Sequence, residues 1–237
     1  MNYIFHIFYN HNESGTNVIV QLGNATTYFA ISCHLDRVCG SGGANDNAAA
    51  IVTCLAVIEQ YVLSGNTNPL QVLFFDEEET GRKGSQAYVR RYGHQHLHAL
   101  INLELVGIGS ELLIWPIDKP NDVSRQLEQA WQICFPGQKS EILHASSFPI
   151  FYSDADSIID NGMQLVLTLT RLTSNDYNIT ARYLAEELSD NDFMQEVSRC
   201  DIMRTYHQPQ DTASTIDSKA IKENVLLLIH LISQFVA

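Results

Sequence analysis

Apolar runs alternate along this chain with polar, glycine-bearing and proline-bearing segments. Residues 70–75, Leu-Gln-Val-Leu-Phe-Phe, form a near-continuous apolar run of the kind buried on both faces of a parallel sheet. Residues 3–9 and 17–22, joined by the polar segment 10–16, read as a hairpin. Further strands are expected at 28–33, 99–105, 112–115 and 163–169. Helical spacing governs 46 to about 61, where Ile51, Leu55 and Ile58 fall four and three apart and predict one buried face, with Gly65 as the stop. Shorter helices are expected at 85–91, 123–134, 181–188 and 192–197, and a final one at 218–235 capped by Asp217. Strands alternating with helices predict an α/β fold, a three-layer α/β/α sandwich on a mixed, mainly parallel sheet, with the opening hairpin as its antiparallel edge. The polar stretch 173–204 has no evident place on that sheet and is expected to form a lid or a wall of a substrate pocket.

Composition narrows the picture. A chain of 237 residues, 45% hydrophobic and 17% charged, suits one domain over residues 1–237. A net charge of −13 argues against nucleic acid as a partner, because phosphate binding needs Lys and Arg. The five cysteines are odd in number and include no CxxC pair, so most read as buried thiols of a reducing compartment. Residues 1–9 lack the basic start and long apolar core of a secretory leader. The apolar tail from Val225 is interrupted by His230, Ser233 and Gln234 and is too short to span a bilayer. These features together predict a cytoplasmic protein with no membrane partner, and a monomer is the simplest expectation.

The candidate chemistry collects where the apolar runs end. Glu77, Glu78 and Glu79 follow the 70–75 strand, where open α/β sheets place their ligands. Carboxylates so close to buried apolar structure call for a cation or a catalytic proton. Glu78 and Glu79 are adjacent and point different ways, so one can hold a metal while the other handles a proton. His34 and Asp36 fall on one side of a strand end, where a carboxylate can set the tautomer of a neighbouring imidazole. Asp46 opens a helix behind Gly42 and Gly43, Glu104 lies in an apolar strand, and His207 sits in a polar loop with Asp211. Imidazoles and carboxylates from separate elements are what a hydrolytic zinc site requires. Singly, each has a plainer reading: a solvated turn at His34, a helix cap at Asp46, an acidic surface loop at the glutamates, a salt bridge from Glu104 to Arg82 or Lys83, and a surface imidazole at His207.

Order and context make the set more specific. Ser32-Cys-His34-Leu-Asp36, Gly43-Ala-Asn-Asp46-Asn-Ala-Ala, Phe74-Phe-Asp-Glu-Glu78-Glu79-Thr-Gly81-Arg-Lys-Gly84-Ser85, Asn102-Leu-Glu104-Leu-Val-Gly107 and Tyr206-His207-Gln-Pro-Gln-Asp211-Thr resemble the co-catalytic di-zinc aminopeptidases of metallopeptidase family 28. That family also holds glutaminyl-peptide cyclases and glutamate carboxypeptidases. The resemblance implies two zinc ions bridged by Asp46, one also held by His34 and Glu104, the other by Glu79 and His207. It implies Glu78 as general base, Asp36 as a catalytic partner, a cis peptide at Asp46–Asn47, and a peptide with a free N-terminus as substrate. Glu77 stands where glycine is commoner, Glu104 where aspartate is usual, and Ala155 departs from a Ser-Asp-His stretch that Ser153 and Asp154 otherwise match. An uninterrupted segment after the paired glutamates favours a hydrolase over a cyclase. A carboxypeptidase would need a basic subsite, for which Arg171 and Arg182 are candidates, and a non-catalytic binding domain would have lost ligand residues that are all present here.

Overall fold

The apolar run at 70–75 becomes strand β4 (Leu70–Phe75), with every residue buried. A computed structural model describes residues 2–10, 13–117, 119–137, 142–146 and 152–234. Around β4 lie β1 (Asn2–Asn10), β2 (Glu13–Leu22), β3 (Tyr28–His34), β5 (Leu97–Leu103), β6 (Glu111–Trp115), β7 (Leu143–His144) and β8 (Val166–Leu172). They form one sheet in the order β1-β2-β4-β3-β5-β8-β6-β7. The central strands β4, β3, β5 and β8 run parallel, and β1, β2 and the β6–β8 pairing are antiparallel. The expected mixed, mainly parallel sheet with its antiparallel hairpin edge is therefore present.

Strand alternation builds two layers on that sheet. Ile31, Val72, Phe74, Ile101 and Leu103 face a core shared with α1 (Ala49–Leu63), α3 (Asp122–Cys134) and α8 (Ser218–Gln234). Ala30, Leu73, Phe75 and Leu100 face α2 (Lys83–Tyr92) and α4 (Asp154–Asp160) on the other side. The stretch left unplaced from sequence folds as α5 (Ser174–Leu184), α6 (Asp190–Val197) and α7 (Asp201–Thr205). These three pack through Phe193, Val197 and Ile202 onto Leu113, Trp115 and Leu172 of β6 and β8. Asp217 does cap α8, its carboxylate accepting from Lys219 N at 2.8 Å.

Several expected boundaries move. Of the Ile51–Leu55–Ile58 stripe expected on α1, Ile51 and Ile58 are half-buried against the core and Leu55 is not. Leu55 is 54% exposed, and the packed face is Ala50, Thr53, Cys54, Val57 and Tyr61. The helix is apolar on most sides, so small residues, which allow close approach to the sheet, decide its orientation. With the turn before it, Ala44–Leu63 is long and apolar enough to cross a membrane by length and composition, yet here it packs against β3, β4 and α8. β8 starts at Val166, because Met163 packs under α4 before the strand begins. α5 starts earlier than expected, since Thr173 Oγ1 accepts from Asp176 N at 3.2 Å and caps it. Residue 235 of the expected final helix lies outside the described residues.

Candidate active site

The carboxyl ends of β3, β4 and β5 lie side by side, and each delivers a residue of the predicted set. His34 is the last residue of β3, Glu104 follows β5, and Glu78 and Glu79 occupy the turn after β4. Asp46 comes from an irregular turn (Ala44–Ala48) leading into α1, and not from the helix itself. His207 comes from the loop after α7.

Asp46 sits between the two imidazoles. Its Oδ1 is 3.1 Å from His34 Nε2, and its Oδ2 is 3.4 Å from His207 Nε2. Glu104 Oε1 lies 3.4 Å from His34 Nε2, and Glu79 Oε2 lies 2.9 Å from His207 Nε2. Glu104 is thus not the surface salt bridge that its isolated reading allowed. Its extra methylene, compared with aspartate, still reaches the cluster, and its second oxygen accepts from Asn47 Nδ2 at 3.3 Å.

Neighbouring groups hold this arrangement in place. His34 Nδ1 donates to the Asp36 carbonyl at 3.0 Å, a partner that can only accept. In the neutral imidazole this leaves the Nε2 lone pair facing Asp46 and Glu104. The Asp36 carboxylate reaches His34 Nδ1 only at 3.4 Å and accepts instead from Glu78 N and Glu79 N, both at 3.0 Å. Asp211 clamps the Asp46 turn in the same way, accepting from Asn45 N at 2.7 Å and Asp46 N at 3.0 Å. Gly42 permits this contact, since a Cβ there would meet the Asp211 carbonyl oxygen at 1.9 Å. The Asp46–Asn47 peptide is cis.

The electrostatics are those of crowded, desolvated acids. Burial, then Asp154 and Glu104, push the Glu78 carboxyl up to about 10. Burial, then Asp46, push Glu79 up to about 8. Glu104 is raised by burial and by Asp46, with His34 offsetting part of it. Burial opposes a charge on His34, but Glu104, Asp36 and Asp46 outweigh it and hold its pKa well above the usual value. Asp36 moves the other way, because His34 and the Glu78 and Glu79 amides overcome the effect of its burial.

Asp154 was noted within its motif but not assigned to the site. It is 1% exposed, neither carboxylate oxygen has a hydrogen-bond partner, and burial above all raises its pKa to about 7. The Ser85 hydroxyl favours its ionised form but is itself committed to Arg82 O and Ser157 Oγ. The Ser153-Asp154 pair was the sequence signal that marked this position.

The donor set fits a cation. One ligand atom each from His34, Asp46 and Glu79 lies within 4.8 Å of the others. Glu79 Oε1 and His207 Nε2 are buried without a hydrogen bond, although His207 Nε2 approaches Glu79 Oε2 closely. Lone pairs aimed at one region and bonded to nothing are the pattern a divalent ion satisfies. Arg171 and Arg182 are not part of the site. Arg171 is buried in an ion pair with Glu223 at 2.9 Å, and Arg182 pairs with Glu196 at 2.8 Å.

A mixed sheet between helical layers, with imidazoles and carboxylates gathered at the ends of its parallel strands, defines an α/β/α sandwich of the metallohydrolase type. The chain belongs to peptidase family M28, whose family model matches residues 17–232. A zinc aminopeptidase from Bacillus subtilis shares the fold at TM-score 0.70 and 20% identity, over 94% of this chain and 51% of that one. A leucine aminopeptidase precursor from Bacteroides thetaiotaomicron does so at TM-score 0.71 and 14% identity, over 99% of this chain and 83% of that one. A vacuolar membrane protease of Yarrowia lipolytica is 32% identical over 109 residues, which is 43% of this chain and 11% of that protein. One of Candida tropicalis is 28% identical over 107 residues, 43% of this chain and 12% of that protein. The matched part is thus about a tenth of these curated relatives.

These relatives overturn the cytoplasmic expectation. They are named for a vacuolar membrane, which points away from the cytoplasm, and the expected lack of a membrane partner loses its basis too. The cysteines misled because burial itself shields a thiol from oxidation. Cys33, Cys54 and Cys200 are buried and all five cysteines are free, so their state does not report a compartment.

Proposed function

We propose that this chain is a zinc-dependent aminopeptidase acting on peptides with a free N-terminus. The observation that carries this reading is Asp46, whose two oxygens face two imidazoles that each have a further carboxylate beside them. Two zinc ions would be held there, one by His34, Glu104 and Asp46, the other by Glu79, His207 and Asp46. Bound zinc supplies Lewis acidity, which acidifies water and polarises a scissile carbonyl.

Glu78 is the group left for proton transfer. Its carboxylate makes no hydrogen bond or ion pair among the described residues, yet it opens onto the same cavity as Glu79 and His207. It takes the proton of the attacking water and returns it to the leaving amine. Burial and the neighbouring acids raise its pKa in the metal-free chain, and zinc held beside it would oppose that shift and leave the carboxylate ionised to accept the proton. Asp36 acts as a positioning residue, fixing the backbone of the Glu78–Glu79 turn. The net charge of −13 favours approach of the substrate ammonium. Membership of a peptidase family supports peptide hydrolysis, and the aminopeptidases among the structural relatives support the amino-terminal end as the point of attack.

The test is Glu78→Gln. Turnover of leucyl-p-nitroanilide should fall by about 10²–10⁴-fold, the usual range for loss of a general base, with zinc content unchanged. Full turnover in that variant contradicts the assignment of the base. Cyclisation of an N-terminal glutamine peptide without nitroanilide cleavage contradicts the aminopeptidase.

A further inference from the structure

One cation stands out in an otherwise acidic pocket. A cavity of about 300 Å³ is lined by Glu78, Glu79, Gly81, Arg82, Tyr152, Tyr206 and His207. Arg82 is the one residue of permanent positive charge in that lining. Its backbone N–H donates to the Glu78 carbonyl at 2.7 Å, so a single tight turn separates the proposed base from the guanidinium. Its φ of +58° is the left-handed conformation that ends this turn.

The guanidinium is held but not used up. Nη1 lies 3.2 Å from Asp156 Oδ2, an ion pair not aligned as a hydrogen bond. Its carbon sits 5.5 Å from the centroid of the Tyr152 ring, which is itself 75% exposed. Among the described residues no other polar group engages it. Guanidinium carries five donors in a fixed fork that matches a carboxylate. The pocket therefore carries both signs of charge, with the acids Glu78 and Glu79 beside the His207 imidazole and the Arg82 guanidinium in the same lining.

We propose that Arg82, braced by Asp156 and Tyr152, forms a carboxylate-binding subsite for the residue on the leaving-group side of the scissile bond. This rests on the aminopeptidase reading and adds a substrate class to it: dipeptides, whose free C-terminal carboxylate lies within about 7 Å of their amino end when extended. An acidic side chain on the second residue presents the same chemistry, and amidated substrates separate the two sources.

The experiment compares Leu-Gly, Leu-Gly-amide and Leu-Asp-amide as substrates of the zinc-loaded chain and of Arg82→Leu and Arg82→Lys. A charge-assisted pair predicts that the native chain prefers Leu-Gly over its amide by at least about tenfold in kcat/KM, chiefly through KM. In Arg82→Leu that ratio should fall to about one, and Arg82→Lys should keep part of it. Because the ratio is taken within one variant, a general loss of activity does not alter it. Preference for Leu-Asp-amide over Leu-Gly-amide assigns the subsite to the side chain as well. Equal cleavage of acid and amide by the native chain, or a ratio that survives in Arg82→Leu, overturns the subsite and leaves the aminopeptidase standing. Calorimetric binding of the same peptides to Glu78→Gln reads the subsite without turnover. A carboxylate preference there, with no hydrolysis by the native chain, upholds the subsite and overturns the aminopeptidase.

Discussion

A carboxylate that accepts two consecutive backbone amides does more than balance an imidazole. Asp36 holds Glu78 N and Glu79 N together, and so sets how far the proposed base stands from the proposed ligand. Asp36→Ala should weaken zinc binding by about 10–100-fold, the usual cost of removing an outer partner of a metal ligand, and lower kcat with it. Zinc titration and steady-state kinetics on the variant check this, and an unchanged kcat would leave Asp36 with no positioning role. Part of the cluster was legible from sequence, because His34 ends an apolar run and Glu78, Glu79 and Glu104 follow shortly after apolar strands. Their backbone was not. Glu77, Arg82, Leu105 and His207 all have φ between 55° and 60°, a conformation that glycine usually announces and these residues conceal. At Glu77, glycine is commoner in the family it resembles, and the left-handed turn explains why. Asp154 was half legible: its motif was visible, but its burial beside Ser85 with no aligned hydrogen bond appears only when α4 is packed against β3 and β5.

His207 depends on a short helix that sequence patterning did not reveal. α7 spans only Asp201–Thr205, too brief for a period to emerge. It is anchored by the buried Asp176 of α5, whose carboxylate accepts from Asp201 N at 2.8 Å and Ile202 N at 3.0 Å. Asp176→Ala removes that cap at a cost of about 1–2 kcal/mol and leaves its two amides without their acceptor. The expected result is a lower Tm together with weaker zinc binding, while Asp176→Asn keeps part of both. A loss of stability with native zinc affinity would mean that α7 does not position His207. The long strands and helices were legible because burial on two faces imposes apolar runs on β3, β4 and β5. α1 was misread in its facing, since a helix apolar on most sides carries no single stripe. β7, two residues long, held no pattern to read.

At the scale of the whole molecule, the site is a source of instability until positive charge enters it. Glu78 and Glu79 have pKa values raised to about 10 and about 8 from 4.5, so between these values the folded chain keeps protons that the unfolded chain has released. Stability of the metal-free chain therefore falls as pH rises through that window. His34, also raised, acts in the same direction, and the lowered Asp36 matters only in more acid solution. A net effect of one pKa unit, about 1.4 kcal/mol, corresponds to about 3–6 °C for a chain of this size. The chelated protein should lose at least that much Tm between pH 5 and pH 8, and zinc should abolish most of the slope. A Tm that rises with pH would show that the acids are not crowded as described. The most direct test of the central claim is the zinc content of the purified chain, measured with leucyl-p-nitroanilide hydrolysis before chelation, after it, and after zinc is restored. The expected result is about two equivalents, with cleavage that vanishes and returns with them. A chain that binds no zinc, or binds two equivalents and releases no nitroaniline, contradicts it.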